Sequence, residues 1–193
     1  MEHNYLLNPA IKLCLEHIEP GSTEKEVQAL VENIVWTAFP ATDGWMNITK
    51  YKQGATELDN KTMKLIQFNT GWATIDVVVY EVKRDREDKS LKAFNRVASD
   101  LLDDHLGEST NLDNTTLFGA VGIRDYVQFY KKLLPRGNLM SLHSQPLHWE
   151  TDAKAVQEFF NYFKVNIPRM PAAAASQQPH SRLILHFQAW PQP

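Results

Sequence analysis

Cysteine is nearly absent from this sequence, since Cys14 is the only one among 193 residues. A single thiol forms no internal disulfide, which excludes a disulfide-stapled extracellular scaffold and favours a reducing compartment. Cys14 falls within an apolar helical pattern, so we interpret it as a buried and inert thiol rather than a nucleophile.

Long hydrophobic runs are also missing. No stretch approaches the roughly 20 apolar residues that a membrane-spanning helix needs. The first nine residues lack the basic start and long apolar segment of a secretory signal. We therefore expect an intracellular protein, in the cytoplasm or the nucleus, that has no membrane partner.

An excess of positive charge is lacking as well. The formal net charge is -3, so binding of nucleic acid would have to depend on a local basic patch. The sequence contains no CxxC, HExxH, P-loop or GxSxG motif. None of the corresponding zinc, nucleotide or serine-hydrolase sites is therefore indicated.

The composition is that of an ordinary globular protein, with 43% hydrophobic and 22% charged residues. The length suits one domain, and we assign residues 1–167 to a single α/β domain. Residues 168–193 are rich in Pro, Ala and Gln, and we interpret them as a linker and C-terminal tail.

Hydrophobic periodicity and turn residues predict an alternation of helices and strands. A capping box, Thr23 followed by Glu26, marks the start of the second helix, and residues 53–61, which include Asp59, are predicted to form a polar loop. The predicted helices cover residues 5–18, 24–39, about 90–105 and 153–163, and the predicted strands cover 45–51, 62–69, 72–83, 116–124, 126–130 and 139–142.

The most strand-like segment, residues 72–84, ends in an acid and a base, Glu81 and Lys83. Alternate residues of a strand share one face, so these two side chains project together, on the side of Ile75, Val77 and Val79. Opposite charges at the end of a buried apolar face are unusual. An ordinary ion pair at a fraying strand end is the alternative interpretation.

The order helix, three strands with Glu81-Val-Lys83 at the end of the third, helix and strand pair resembles the core of the PD-(D/E)xK nucleases. The resemblance covers about residues 23–132, and it extends to nuclease-like domains of uncharacterised fungal proteins. It implies a restriction-endonuclease-like α/β fold, in which helices flank a central mixed sheet of about five strands. It also implies a Mg²⁺-dependent (or Mn²⁺-dependent) hydrolase that binds and cleaves DNA, or RNA.

The resemblance assigns roles to particular residues. Glu81 would be a metal ligand and a catalytic residue, and Lys83 would be the catalytic cation. The second metal ligand is either Asp59, which no proline precedes, or Asp76. Asp76 lies five residues before Glu81, so regular pleating puts it on the opposite face unless a bulge intervenes.

Basic residues follow the Glu81-Val-Lys83 segment, and Arg84, Lys89, Lys92 and Arg96 are the candidates for contacts with nucleic-acid phosphates. Interleaved acidic residues make a solvated helix face the competing interpretation. Two other functions stay open: a catalytically inactive nuclease-like domain acting as a binding or homodimerisation module, and a small-molecule enzyme on another fold. Dimerisation is suggested by the aromatic-rich helix that carries Phe159, Phe160, Tyr162 and Phe163.

Overall fold

The computed structural model describes residues 5–53, 56–68, 71–83, 90–107, 109, 111, 115–134 and 136–167. The predicted linker and tail, together with Arg84 and Lys89, lie outside these residues. The statements below refer to the described part of the chain.

Capping residues mark the start of two helices. Thr23 and Glu26 form the predicted capping box, in which Glu26 Oε2 accepts a hydrogen bond from the Thr23 backbone at 2.6 Å. Ser90 caps the helix after the third strand, because its hydroxyl accepts from the backbone of Ala93. The helices are α1 (Pro9–His17), α2 (Glu24–Ala38), α3 (Leu91–Val97), α4 (Asp103–Gly107) and α5 (Ala153–Val165), with a π-helical turn at Ala98–Leu102 and 3-10 turns at Tyr5–Leu7 and Ala41–Asp43.

The strands form one mixed sheet, which confirms the predicted α/β class. The sheet order is β1-β2-β3-β4-β5-β6, and β7 also pairs with β5. Among the described strands, only β3 and β4 run parallel, joined by the α3–α4 crossover, while the other pairs are antiparallel. The described strands number seven rather than about five, and they are β1 (Trp45–Gln53), β2 (Thr56–Phe68), β3 (Gly71–Lys83), β4 (Thr116–Ile123), β5 (Tyr126–Leu133), β6 (Met140–Ser141) and β7 (Leu147–His148).

The predicted polar loop over residues 53–61 is wrong, because most of that segment belongs to β2. Polar composition argued against a strand there, but residues 56–58 pair with β1, and Asn60 and Lys61 pair with both β1 and β3, which provides partners for their backbone groups. Strand preference depends strongly on such pairing rather than on composition alone. Asp59 therefore lies inside a strand, next to β3, and not in a loop before it.

The alternation of β3 is interrupted at Val77. Met63 of β2 pairs with Asp76, whereas its neighbour Thr62 pairs with Val78, so Val77 is the extra residue of a β-bulge. Val77 and Val78 both join the same hydrophobic cluster. The expectation that Ile75 and Val77 share a face with Glu81 is thus wrong, because the bulge shifts the alternation of the residues before Val78; only Val79 lies on that face as predicted.

Hydrophobic clusters cover both faces of the sheet. On one face, α1, α2 and α5 pack against Val78, Tyr80 and Val82 of β3. On the other face, the α3–α4 segment packs against Val79 of β3 and against the residues of β4 on the same side, which are Leu117, Val121 and Ile123. The carboxyl end of β3 is consequently enclosed between α2 and the α3–α4 segment.

No helix in the described ranges is long and apolar enough to span a membrane.

Candidate active site at the end of the third strand

Glu81 is a buried carboxylate, with 2% of its surface exposed. It follows Val79 on the face of the sheet that the α3–α4 segment covers. Burial, and secondly the neighbouring Asp59 carboxylate, raise the pKa of Glu81 from 4.5 to about 7, against the opposing effect of Lys83. An acid with this pKa changes its charge near neutral pH, and such groups are concentrated at functional sites.

Lys83 joins the carboxylates of two adjacent strands. Its Nζ lies 3.6 Å from Glu81 Oε2 and 3.9 Å from Asp59 Oδ2. Asp59 is held in place because its Oδ2 also accepts a hydrogen bond from the backbone of Val82, at 2.8 Å. An acid pair and a cation thus converge at the carboxyl end of β3. An isolated surface ion pair does not account for this, since both carboxylates are largely buried.

Glu24 is a third acid beside Lys83, and sequence analysis gave it no role. Its Oε1 lies 4.0 Å from Lys83 Nζ, and its side chain is 44% exposed. It occupies the first turn of α2, where a carboxylate also stabilises the positive end of the helix. The capping box predicts where α2 begins. Which strand end this helix start faces is decided by the packing of α2 on the sheet and not by the local sequence.

His105 is a second residue that sequence analysis missed. Its ring is 2% exposed, and its Nε2 lies 3.1 Å from Glu81 Oε1. The contact does not have hydrogen-bond geometry, and Oε1 has no hydrogen-bond partner among the described residues. No local pattern in the sequence indicates this contact, because it depends on how the α3–α4 segment packs over Glu81.

Asp76 lies elsewhere on the sheet. Its Oδ2 is 2.8 Å from the Nζ of the buried Lys61 and accepts a hydrogen bond from Ser109 at 2.8 Å. Lys61 is paired with Val79, so the bulge does bring Asp76 to the face of Glu81. However, five residues of strand separate the two acids by roughly 15 Å. Asp59, and not Asp76, is the acid that accompanies Glu81.

Removing the Asp76 carboxylate should therefore affect stability and not metal affinity. We expect Asp76→Ala to lower the free energy of unfolding by about 3–5 kcal/mol, because the buried Lys61 ammonium would lose its ion pair with this carboxylate. Asp76→Asn retains an acceptor for Ser109 and should cost less. Urea unfolding measures the loss of stability, and calorimetry measures the affinity for Mn²⁺. A loss of Mn²⁺ binding in a stable Asp76→Asn variant would contradict this placement.

Two of the predicted phosphate-binding residues are described. Lys92 and Arg96 are exposed and lie one helical turn apart on α3, so they form part of a single stripe. Both remain accessible to a phosphate backbone. Arg124, at the turn between β4 and β5, instead forms an ion pair with Asp125 at 2.9 Å.

The donor set of this end of the sheet suits a magnesium-type ion better than zinc. Within the described residues, no group of three or more His, Cys, Asp or Glu side chains has the arrangement of a metal cage. Mg²⁺ commonly binds through one or two carboxylates and completes its shell with water and substrate phosphate. Asp59 and Glu81 offer such a pair, because Asp59 Oδ2 and Glu81 Oε2 both lie within 4 Å of Lys83 Nζ.

Comparison with known proteins gives no match. Neither a family model, nor a curated protein, nor a solved structure is significantly similar to this chain. The function must therefore be inferred from the geometry of the Asp59, Glu81 and Lys83 cluster.

Proposed function

We propose that this protein is a metal-dependent nuclease of the PD-(D/E)xK type, cleaving phosphodiester bonds of DNA or, alternatively, RNA. The observation that carries the proposal is the position of Lys83 Nζ, within 4 Å of the carboxylates of both Asp59 and Glu81. The three residues come from two adjacent strands. A helix, the antiparallel strands β1 to β3, a crossover helix and a parallel β4 surround them, which is the order that the resemblance implies.

Each residue has a distinct task in this proposal. Asp59 and Glu81 would bind Mg²⁺ or Mn²⁺, and the bound ion would supply positive charge to a phosphate oxygen. Lys83 is held by the two carboxylates in a position to stabilise the negative charge on the phosphoryl oxygens in the transition state or to orient the attacking water. Glu24 is accessible at the rim of the site.

The direction from which nucleic acid would approach follows from exposure. Lys83 is about one-third exposed, whereas Glu81 is buried, so the site opens on the side of Lys83 and Glu24. The exposed Lys92 and Arg96 on α3 would contact phosphates away from the scissile bond. Such contacts make binding strongly dependent on salt concentration, because counterions are released from the nucleic acid.

The test is cleavage and metal binding by the purified chain. We expect supercoiled plasmid to be nicked, or single-stranded DNA degraded, with Mg²⁺ or Mn²⁺ and not with EDTA. Asp59→Asn, which keeps the shape but removes the charge, should lower Mn²⁺ affinity at least tenfold by calorimetry, because a carboxylate ligand is lost. Asp43→Asn is the matched control, since Asp43 lies in a 3-10 turn before β1, away from the end of β3. Metal binding and cleavage that are unchanged in Asp59→Asn would refute the proposal.

A second candidate function is that of an inactive nuclease-like domain that dimerises. One observation favours it: α5 exposes Tyr162 and Val165 by 40% and 80%, next to an open groove of about 360 Å³ lined by Leu142 and Phe159. Under this alternative, the chain would bind no Mn²⁺ and light scattering would give twice the monomer mass. Val165→Lys should then return the mass to that of a monomer.

A further inference from the structure

We infer that His105 is a positioning residue, which fixes the Glu81 carboxylate so that Oε2 faces Asp59 and Lys83 and is presented to a divalent cation. The inference rests on the proposed function, because it concerns the way in which the same site holds its metal. It assigns to the α3–α4 segment a role beyond that of covering the sheet.

The two oxygens of Glu81 have different surroundings. Oε2 lies beside Lys83 Nζ, at 3.6 Å, whereas Oε1 lies beside His105 Nε2, at 3.1 Å. Oε1 is buried and has no hydrogen bond from another described residue. A small rotation of the imidazole ring would align its N–H with Oε1, since the distance already suits a hydrogen bond. With Oε1 held in this way, the carboxylate would direct Oε2 towards the open side.

The helix that carries His105 is wound to bring the ring to the sheet. Between α3 and α4 the backbone N–H of Asp103 donates to the carbonyl of Ala98, which is the i to i+5 pattern of a π-helix. Such turns add a residue to the helix and are frequent at functional sites. After this turn, His105 and Leu106 are both buried against the strands.

Close packing holds the segment at the required distance. A Cβ added to Gly119 of β4 would lie 2.6 Å from Leu102 Cδ2, so the glycine permits the π-helical turn to approach the strand. Lys132 of β5 forms an ion pair at 2.8 Å with Asp103, which lies two residues before His105. The backbone that carries His105 is thus fixed by its neighbours, as is needed for a residue that orients a metal ligand.

Two amide variants separate positioning from packing. The side-chain nitrogen of Gln can reach the location of His Nε2, whereas that of the shorter Asn cannot. We expect His105→Asn to weaken Mn²⁺ binding at least tenfold by calorimetry, the lower end of the loss typical for residues that orient metal ligands. His105→Gln should restore the affinity to within about threefold of wild type, by retaining a donor near Oε1. If His105→Asn does not fold, His105→Met, which fills the space without a donor, takes its place.

A double-mutant cycle provides the second measurement. If His105 acts through Glu81, the His105 substitution should not weaken Mn²⁺ binding further when Glu81→Gln is already present. Equal affinity in the Asn, Gln and wild-type proteins would overturn the inference. Equal weakening in Asn and Gln, in proportion to a lower melting temperature, would also overturn it by showing a packing role. Wild-type protein that binds no Mn²⁺ would instead overturn the proposed function and, with it, this inference.

Discussion

Replacing Lys83 with Ala is expected to lower the rate of metal-dependent DNA cleavage by at least about 100-fold, the usual effect of removing one preorganised group that stabilises transition-state charge. The structure supplies the reason, because Lys83 Nζ is held 3.6 Å from Glu81 and 3.9 Å from Asp59, close to where a metal ion held by both acids would bind a phosphate. A plasmid-nicking assay under single-turnover conditions measures the rate. Lys154→Ala, which removes an exposed lysine of α5, is the matched control and should cleave at the wild-type rate.

The same substitution separates catalysis from binding. Lys83 is a cation beside two prospective metal ligands, so its removal relieves repulsion of a divalent ion. We expect Lys83→Ala and the longer Lys83→Met to bind Mn²⁺ at least as tightly as wild type while failing to cleave. Cleavage that survives in both variants would remove Lys83 from the mechanism. Loss of Mn²⁺ binding in both would show that Lys83 supports the site rather than the reaction.

Replacing Glu81 with Gln is expected to stabilise the metal-free protein progressively as pH rises. The pKa of Glu81 is raised from 4.5 to about 7 in the folded protein, chiefly by burial. Between these values the unfolded chain releases the proton and the folded chain keeps it, so wild-type stability falls as pH rises. At 1.36 kcal/mol per pKa unit, the total is on the order of 3 kcal/mol.

The Gln side chain stays neutral throughout and removes this dependence. The free energy of unfolding of Glu81→Gln, minus that of wild type, should therefore grow by on the order of 3 kcal/mol between pH 4.5 and pH 8. Urea unfolding at several pH values with EDTA measures it. Glu150→Gln, which removes the charge of an exposed carboxylate, is the matched control. A difference for Glu81→Gln that does not change with pH would show that the burial of this carboxylate carries no such free-energy cost.

Together, the Lys83→Ala and Glu81→Gln results test whether the buried Glu81 carboxylate serves to bind a metal ion. A site that destabilises its own apo form by holding an ionised acid in a buried position is expected where a cation completes it, because the cation removes the cost. If Glu81 served only in packing, Glu81→Gln would raise the free energy of unfolding at neutral pH and leave cleavage unchanged. Glu81→Gln should instead lose cleavage together with the pH dependence.

Much of the fold was predictable because it depends on local patterns. The capping box at Thr23 and Glu26 locates the start of α2, and the hydrophobic run before Glu81 locates β3. The loop predicted around Asp59 was wrong because the polar start of β2 pairs with β1 and, from Asn60 onward, with β3 as well. Asp152 precedes α5 as predicted, yet its carboxylate accepts from the backbone of His148 at 2.8 Å instead of capping the helix.

The sequence by itself determined that Glu81 and Lys83 would meet. Their contact follows from the pleat of one strand, in which residues two apart share a face wherever no bulge intervenes. Only the tertiary structure decided which acid accompanies them. A bulge at Val77 and the register of β2 against β3 place Asp59 beside Lys83 and leave Asp76 with Lys61. Glu24 and His105 likewise reach the site from helices packed on opposite faces of the sheet, because contacts between residues distant in sequence are fixed by packing and not by any local pattern.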